Sequence, residues 1–481
     1  MPASGTNSPM PLPARGPWVA VALVVLAWAV LYLPAIGARS FYFEEGRRGA
    51  QALAMLETGE LMKTEVFGQR YINKPPMLPW LMAATAAVRG GTLDEWSVRL
   101  PPALMTLVTT LLALALARAH SGRMAGLIAA AGVLLSVHII QKGVTGETDT
   151  TIVAAQFAAF FVWWRSLRAG GPGILAWLAC GLLLAIAMLA KGPVGAAYFC
   201  STVLFLHLWR REWKQIGGLV LAVAVAATPL LLWTWQVYEP GSLSRWQGEM
   251  RMGTDLLPTG EAIKEQLHGA GEIIVEHMPW LLVVLVGLLI PERRKSLELE
   301  TPLVGALVVY AALFSFVLMV WPHTQGRYAM PAVPAIAVLS GIAAAASWGR
   351  NRWADRALIF MIAALALYQI TVAWAVPYIR GDKAYASRLA GQEITQVISE
   401  DAAPVYVPAS RVHANMLVYV GPRVKAVADE KIADLNGPAW VLVPADQKAD
   451  ILKQLPRLGD SPIATVTSNY GAYQVYRLLQ R

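Results

Sequence analysis

Five short stretches of this chain hold side chains able to do chemistry. "FYFEEGRRGAQALAML" (41–56) sets two adjacent carboxylates, Glu44 and Glu45, just before Arg47 and Arg48. "GQRYINKPPMLPW" (68–80) carries Lys74 ahead of two prolines, and "KGVTGETDTT" (142–151) places Glu147 and Asp149 two apart. "LAKGPVGAAYF" (189–199) offers Lys191, and "WPHTQGRYAMPAVPAIAVL" (321–339) offers Arg327 and Tyr328. A carboxylate can serve as general base or hold a divalent cation through oxygen. A lysine held in an extended backbone by a following proline can meet a phosphate as a point charge. Each group also has a plainer use. Glu44 and Glu45 suit a helix start, Asp149 a helix cap, and Lys74 and Lys191 the border of a membrane. The chain has no phosphate-cradling Walker loop, no glycine-rich dinucleotide turn and no Ser-His-Asp order.

What must position these groups is a membrane bundle. The 481 residues are 56% hydrophobic and only 15% charged, well short of the charge of a soluble domain. Apolar runs bounded by basic clusters indicate transmembrane helices of about 20 residues. The net charge of +9 orients loops in such a protein and does not point to nucleic acid. Cys180 and Cys200 both lie inside apolar runs, which argues against a disulfide or a metal site there. The segment 16–38 is too long for a signal-peptide core and reads as a retained first helix.

Basic clusters mark the cytoplasmic side: Arg118 and Arg123, Arg165 and Arg168, Arg210 to Lys214, Arg293 to Lys295, and Arg350 to Arg356. Helices are then expected near 17–37, 98–117, 123–141, 150–164, 173–190, 193–209, 216–235, 279–291, 303–321, 329–348 and 357–376. The N-terminus falls inside and the C-terminus outside. The apolar stretch 76–91 is short and both its ends belong outside, so it is expected to be re-entrant or interfacial. Outer connections collect the mixed charges, including Arg251 in "SRWQGEMRMGTD" (244–255). A transporter would carry ionisable groups near mid-helix. Gathering them at one surface favours chemistry there. From about 378 the pattern changes: 403–410, 439–445, 463–468 and 473–478 read as strands, with helical spacing at 411–420 and 446–455. The expected organisation is a membrane domain over 1–377, with eleven to thirteen transmembrane helices, and a small extramembrane α/β domain over 378–481.

The motifs also resemble a family. "FEEGRRGAQALAML", "RYINKPPMLPWL", "WSVRLPPALMTLV", "GETDTTIVAAQF", "MLAKGPVG" and "RYAMPAVPAIAVLSG", in this order, are similar to the C-type membrane glycosyltransferases. That group includes the lipid A aminoarabinose transferases and the dolichyl-phosphate-mannose protein mannosyltransferases. The resemblance implies that Glu44 stands where the family has a catalytic Asp and that Asp149 matches a second catalytic acid. It implies that Lys74, Tyr328 and, more loosely, Arg251 face the donor's phosphate; Glu45, Arg47, Glu147, Lys191 and Arg327, in the same outer connections, are expected in support. Glu44 and Asp149 are also the expected oxygen ligands if a divalent metal ion is used; no other cofactor is expected. Asn73 stands where aminoarabinose transferases commonly have an acid, which weakens any claim to their particular sugar. The implied activity is inverting transfer of a sugar from a polyprenyl-phosphate donor to an extracytoplasmic acceptor: lipid A, another envelope glycan or lipid, or a protein. The implied place is the bacterial inner membrane, with the site on the outer face. The competing expectation is a transporter or flippase of polyprenyl-linked sugars.

Overall fold

A computed structural model describes residues 17–480, apart from 243, 245, 247–258, 322–323, 399–400, 460 and 470. Seven described helices are long and apolar enough to cross a membrane: Trp18–Ile36, Glu95–Leu134, Ile174–Lys191, Trp213–Val237, Pro302–Val320, Gly326–Ala346 and Arg352–Arg380. An eighth is reached if Ile263–Glu276 and Trp280–Gly287, bent by 81°, form one span. The difference from the longer expected count lies in four places. The segment 98–117 and most of 123–141 fall in one 40-residue element, Glu95–Leu134, broken at Ser121 and Gly122, and the rest of the second lies in the short Val137–Lys142 helix. Gly126 packs back on Leu114 and Arg118, so the chain reverses at that break. Segment 150–164 lies in the less apolar Asp149–Arg168 helix, which carries Asp149, Arg165 and Arg168 at its ends. Segment 193–209 is split by a 3-10 turn at Pro193–Ala196, and 279–291 is one arm of the bent pair.

Small residues let these helices approach closely. Gly132 faces Ala337, and Gly341 sits against the Ala125 carbonyl, so the Gly326–Ala346 helix lies tightly along the second arm of the reversed element. Close backbone approach through Gly and Ala is how helices pack where lipid offers no hydrophobic driving force. This contact fixes the entry of the helix, where Arg327 and Tyr328 stand. The Asp149–Arg168 and Ile174–Lys191 helices pack side by side as antiparallel neighbours. The start of one and the end of the other therefore meet, with Asp149 and Lys191 at the junction. An acid in a first turn and a base in a last turn each complement the helix dipole.

The short apolar stretch is the Met77–Val88 helix, which packs against Glu45–Thr58 and Glu95–Leu134. At the same end of the bundle sits a five-stranded sheet in the order Val424–Val427, Val405–Pro408, Ala439–Pro444, Gly471–Leu478, Ala464–Ser468. The first three strands are parallel and the last two pair antiparallel. The Asp382–Val397 and Ala414–Val420 helices pack on each other, and the second rests on Glu45–Thr58. Gly46 makes that seat: a Cβ there would lie 2.4 Å from the Asn415 amide nitrogen.

Candidate active site

The loop after the first helix turns at Phe43, whose φ of 53° is unusual for a residue with a side chain. Glu44 follows as the N-cap of Glu45–Thr58. The two glutamates then part. Glu45 is fully buried and accepts from Arg99 Nε at 2.7 Å and Arg99 Nη2 at 2.8 Å. It also accepts from the backbone N–H groups of Tyr42 (2.8 Å) and Gly146 (2.9 Å), with Arg39 at 3.2 Å. Burial alone would raise its pKa, but Arg99, Arg39 and the Gly146 amide outweigh burial and hold it down at about 2. Arg99 spends its remaining N–H groups on the Ile36, Arg39 and Ser40 carbonyls at 2.6–2.9 Å, so all five guanidinium donors are used. Gly146 is required by the same knot, since a Cβ would meet Val98 Cγ1 at 2.5 Å.

Glu44 instead stays partly open and, among the described residues, pairs with Arg47, at 3.0 Å from both carboxylate oxygens. The Arg47 guanidinium lies 5.9 Å from the Tyr71 ring centroid. Because Glu45 grips Gly146, the first loop is carried directly to the segment holding Glu147 and Asp149. Glu147 receives Lys142 at 2.7 Å on each oxygen and Arg327 at 3.4 Å. Asp149 receives Lys191 at 2.7 Å. Tyr328 joins the two pairs, with Lys191 Nζ 4.7 Å and Arg327 Cζ 5.6 Å from its ring centroid. Lys142 in turn lies 5.9 Å from the Phe43 ring centroid.

Glu44, Arg47, Glu147, Asp149, Lys191, Arg327 and Tyr328 thus gather around one loop junction. Lys74 is half-buried in the turn that leads from Tyr71 into the Met77–Val88 helix. Arg251 lies outside the described residues. Glu45 belongs to the buried knot. Lys142, Arg99 and Gly146 were not singled out as site residues, and only Arg99 left a signal: a lone charge within the apolar run "WSVRLPPALMTLV". The two expected oxygen ligands for a metal are each matched by a cation, Glu44 by Arg47 and Asp149 by Lys191. Among the described residues no group of three or more His, Cys, Asp or Glu is arranged to hold an ion. As folded, this donor set does not fit a divalent cation.

Two cavities flank Phe43. One of about 400 Å³ runs between Phe43, Arg47, Tyr71 and the His413–Asn415 edge of the C-terminal domain. The other, of about 800 Å³, is bounded by Phe43, Lys142, Glu147, Arg327 and Glu272. The arrangement offers one lightly held carboxylate, a set of cations and room on both sides.

Known proteins resemble this chain in sequence and in fold. The family described as dolichyl-phosphate-mannose-protein mannosyltransferase matches residues 73–233. The undecaprenyl phosphate-alpha-4-amino-4-deoxy-L-arabinose arabinosyl transferase of Pseudomonas paraeruginosa is 28% identical over 225 residues, 45% of this chain and 40% of that protein. The chain therefore matches less than half the length of that relative. Among solved structures, ArnT from Cupriavidus metallidurans bound to undecaprenyl phosphate superposes with a TM-score of 0.71 at 16% identity, over 97% of this chain and 98% of that one. The archaeal oligosaccharyltransferase AglB from Archaeoglobus fulgidus gives 0.53 at 13% identity, over 98% and 75%. In its fold, and in sequence over residues 73–233, this multi-span membrane protein is similar to the C-type membrane glycosyltransferases.

Proposed function

We propose that the protein is a glycosyltransferase that moves a sugar from a polyprenyl-phosphate donor to an acceptor on the extracytoplasmic side of a bacterial inner membrane. The acceptor is an envelope lipid, glycan or protein. The observation that carries this reading is the division of labour at the first loop: Glu45 is locked in a buried knot, while Glu44 is partly open, pairs with Arg47 and follows Phe43, which lines both cavities. A donor and an acceptor need separate approaches, and the two cavities beside Phe43 supply the room for them.

In the proposed step an acceptor hydroxyl attacks the anomeric carbon of the donor sugar. The bond from that carbon to the phosphate oxygen breaks, polyprenyl phosphate leaves, and the acceptor's proton passes to Glu44. Attack from the face opposite the leaving group inverts the anomeric configuration. An exposed ion pair such as Glu44–Arg47 is worth only about 0–1 kcal/mol, so its opening is a small obstacle. Lys74 and Tyr328 are assigned to the negative charge that grows on the phosphate, where preorganised groups act most strongly; the family resemblance gives Arg251 the same task. Asp149, oriented by Lys191, supports the acceptor. No nucleotide is needed, because the phospho-sugar bond supplies the driving force.

Purified protein in liposomes containing a radiolabelled polyprenyl-phosphate sugar tests the reading. Label should pass to an added envelope-lipid extract, and Lys74→Ala should slow it roughly ten- to a hundredfold through loss of one charge-assisted contact. Movement of label between leaflets with no transfer would replace the enzyme by a flippase.

A further inference from the structure

Four arginines crowd the first loop, and three are matched: Arg39 and Arg99 by Glu45, Arg47 by Glu44. Arg48 is not. It is only 5% exposed, its Nε is buried with no hydrogen-bond partner, and among the described residues no carboxylate pairs with it. Tyr71 is its neighbour: burial raises that hydroxyl's pKa, and the charges of Arg48 and Arg47 pull against the rise. Arg47 lies 5.9 Å from that ring's centroid and is paired with Glu44; the charge of Arg48 acts on the same phenol without a carboxylate partner among the described residues.

Its place on the helix adds to the case. Arg48 follows Glu44 by four residues in Glu45–Thr58, so it lies one turn along on the same face. Burying an uncompensated cation costs several kcal/mol. A planar guanidinium fork is suited to bidentate capture of phosphate or carboxylate.

We infer that Arg48 is a substrate-binding residue whose guanidinium takes an oxyanion of the bound substrate, a phosphate or a carboxylate, beside the carboxylate of Glu44. The oxyanion has two sources: the donor's own phosphate, or an acidic group on the sugar it carries. Calling the ligand a donor rests on the proposed function; the binding test below does not require turnover.

Wild-type protein, Arg48→Met and Arg48→Lys are purified in detergent, and three probes are titrated: undecaprenyl phosphate, a polyprenyl-phosphate hexose, and the corresponding uronic acid. Arg48→Met should leave the ligand-free melting temperature unchanged or raise it, because it removes a buried unpaired charge. It should weaken anion binding roughly ten- to a hundredfold, with Arg48→Lys in between. Weaker binding of undecaprenyl phosphate itself, with the hexose and uronic acid probes weakened alike, assigns the site to the donor phosphate. Normal binding of that probe with lost preference for the uronic acid over the hexose assigns it to an acidic sugar. If Arg48→Met binds all three probes as wild type does, or Arg48→Lys is no better than Arg48→Met, the inference is overturned. Absence of sugar transfer by the wild type would sink the proposed reaction without touching this result.

Discussion

Glu44 and Glu45 are neighbours in the chain and opposites in the fold. On a helix start their side chains diverge by about 100°, and each finds a different world. Glu45 points into the protein, where Arg99, Arg39 and two backbone N–H groups surround it. Glu44 points to the rim and holds one half-exposed arginine. The buried knot ties the loop after the first helix, the start of the Glu95–Leu134 element and the 142–149 segment into one unit. The rim then presents Glu44 from a rigid base, in a partly exposed pair with Arg47 that can open for a substrate. A buried ion pair costs desolvation and so is a poor source of net stability, but removing one partner is severe. That asymmetry separates the two regions experimentally.

The largest effect is expected in the knot. Arg99→Met leaves the Glu45 carboxylate buried without its bidentate partner, at a cost of about 3–5 kcal/mol. Detergent-solubilised protein should melt many degrees lower or fail to accumulate, and adding Glu45→Leu should recover part of the loss by removing the orphaned charge. A wild-type melting curve for Arg99→Met would refute the knot. The pH response has a definite sign. The folded Glu45 carboxyl sits at about 2 against an ordinary 4.5, so its contribution is complete above about pH 4.5 and is lost as pH falls toward 2. The difference corresponds to roughly 3 kcal/mol. Melting temperature should carry an acid-side decline from this group that Arg99→Met largely lacks.

Next comes the rim, where stability and activity should separate the other way. Glu44→Gln keeps the side chain's size but removes the base, a loss typically of about 10²–10⁴ in rate. Its melting temperature should barely move, since an exposed pair contributes only about 0–1 kcal/mol. Glu45→Gln should lower the melting temperature while the folded fraction keeps substantial transfer activity. Equal stabilities with the opposite ranking of activities would move the base one residue along the chain.

The two regions also differ in how well the sequence announced them. Long apolar runs with basic ends made the helices legible, and the reversal at Ser121–Gly122 sits between Arg118 and Arg123, where the basic marker stood. Strands at 439–444 and 471–478 showed as β-branched and aromatic runs, whereas Val424–Val427 is four residues interrupted by Lys425 and gave no period to detect. The charged groups of the rim were visible because charge is rare in this chain. Which glutamate would be buried was not, because Arg99 lies 54 residues from Glu45 and Gly146 lies 101 away. Such pairings depend on how helices pack, and local spacing carries no trace of them. The same holds for the unmatched Arg48, whose character is set by what fails to approach it.

The smallest expected effect probes how the C-terminal domain touches the rim. Asn415 donates from Nδ2 to the Phe43 carbonyl at 3.0 Å and accepts the Gly46 N–H on Oδ1 at 2.9 Å. It thereby holds the backbone on both sides of Glu44, from 369 residues away in the case of Gly46. Asn415→Leu preserves approximate size and removes both bonds, each worth about 0.5–1.5 kcal/mol net. The melting temperature should fall by a few degrees, and kcat in the liposome assay by roughly tenfold or less for a slightly misplaced base, with the donor's KM unchanged. Asn415→Asp keeps the acceptor for Gly46 but sets a carboxylate against the Phe43 carbonyl, so it should resemble Asn415→Leu in kcat while retaining the contact to the helix start. If Asn415→Leu lowers stability and leaves kcat untouched, the C-terminal domain anchors the loop without setting the position of Glu44, and the rim draws its geometry from the Glu45 knot alone.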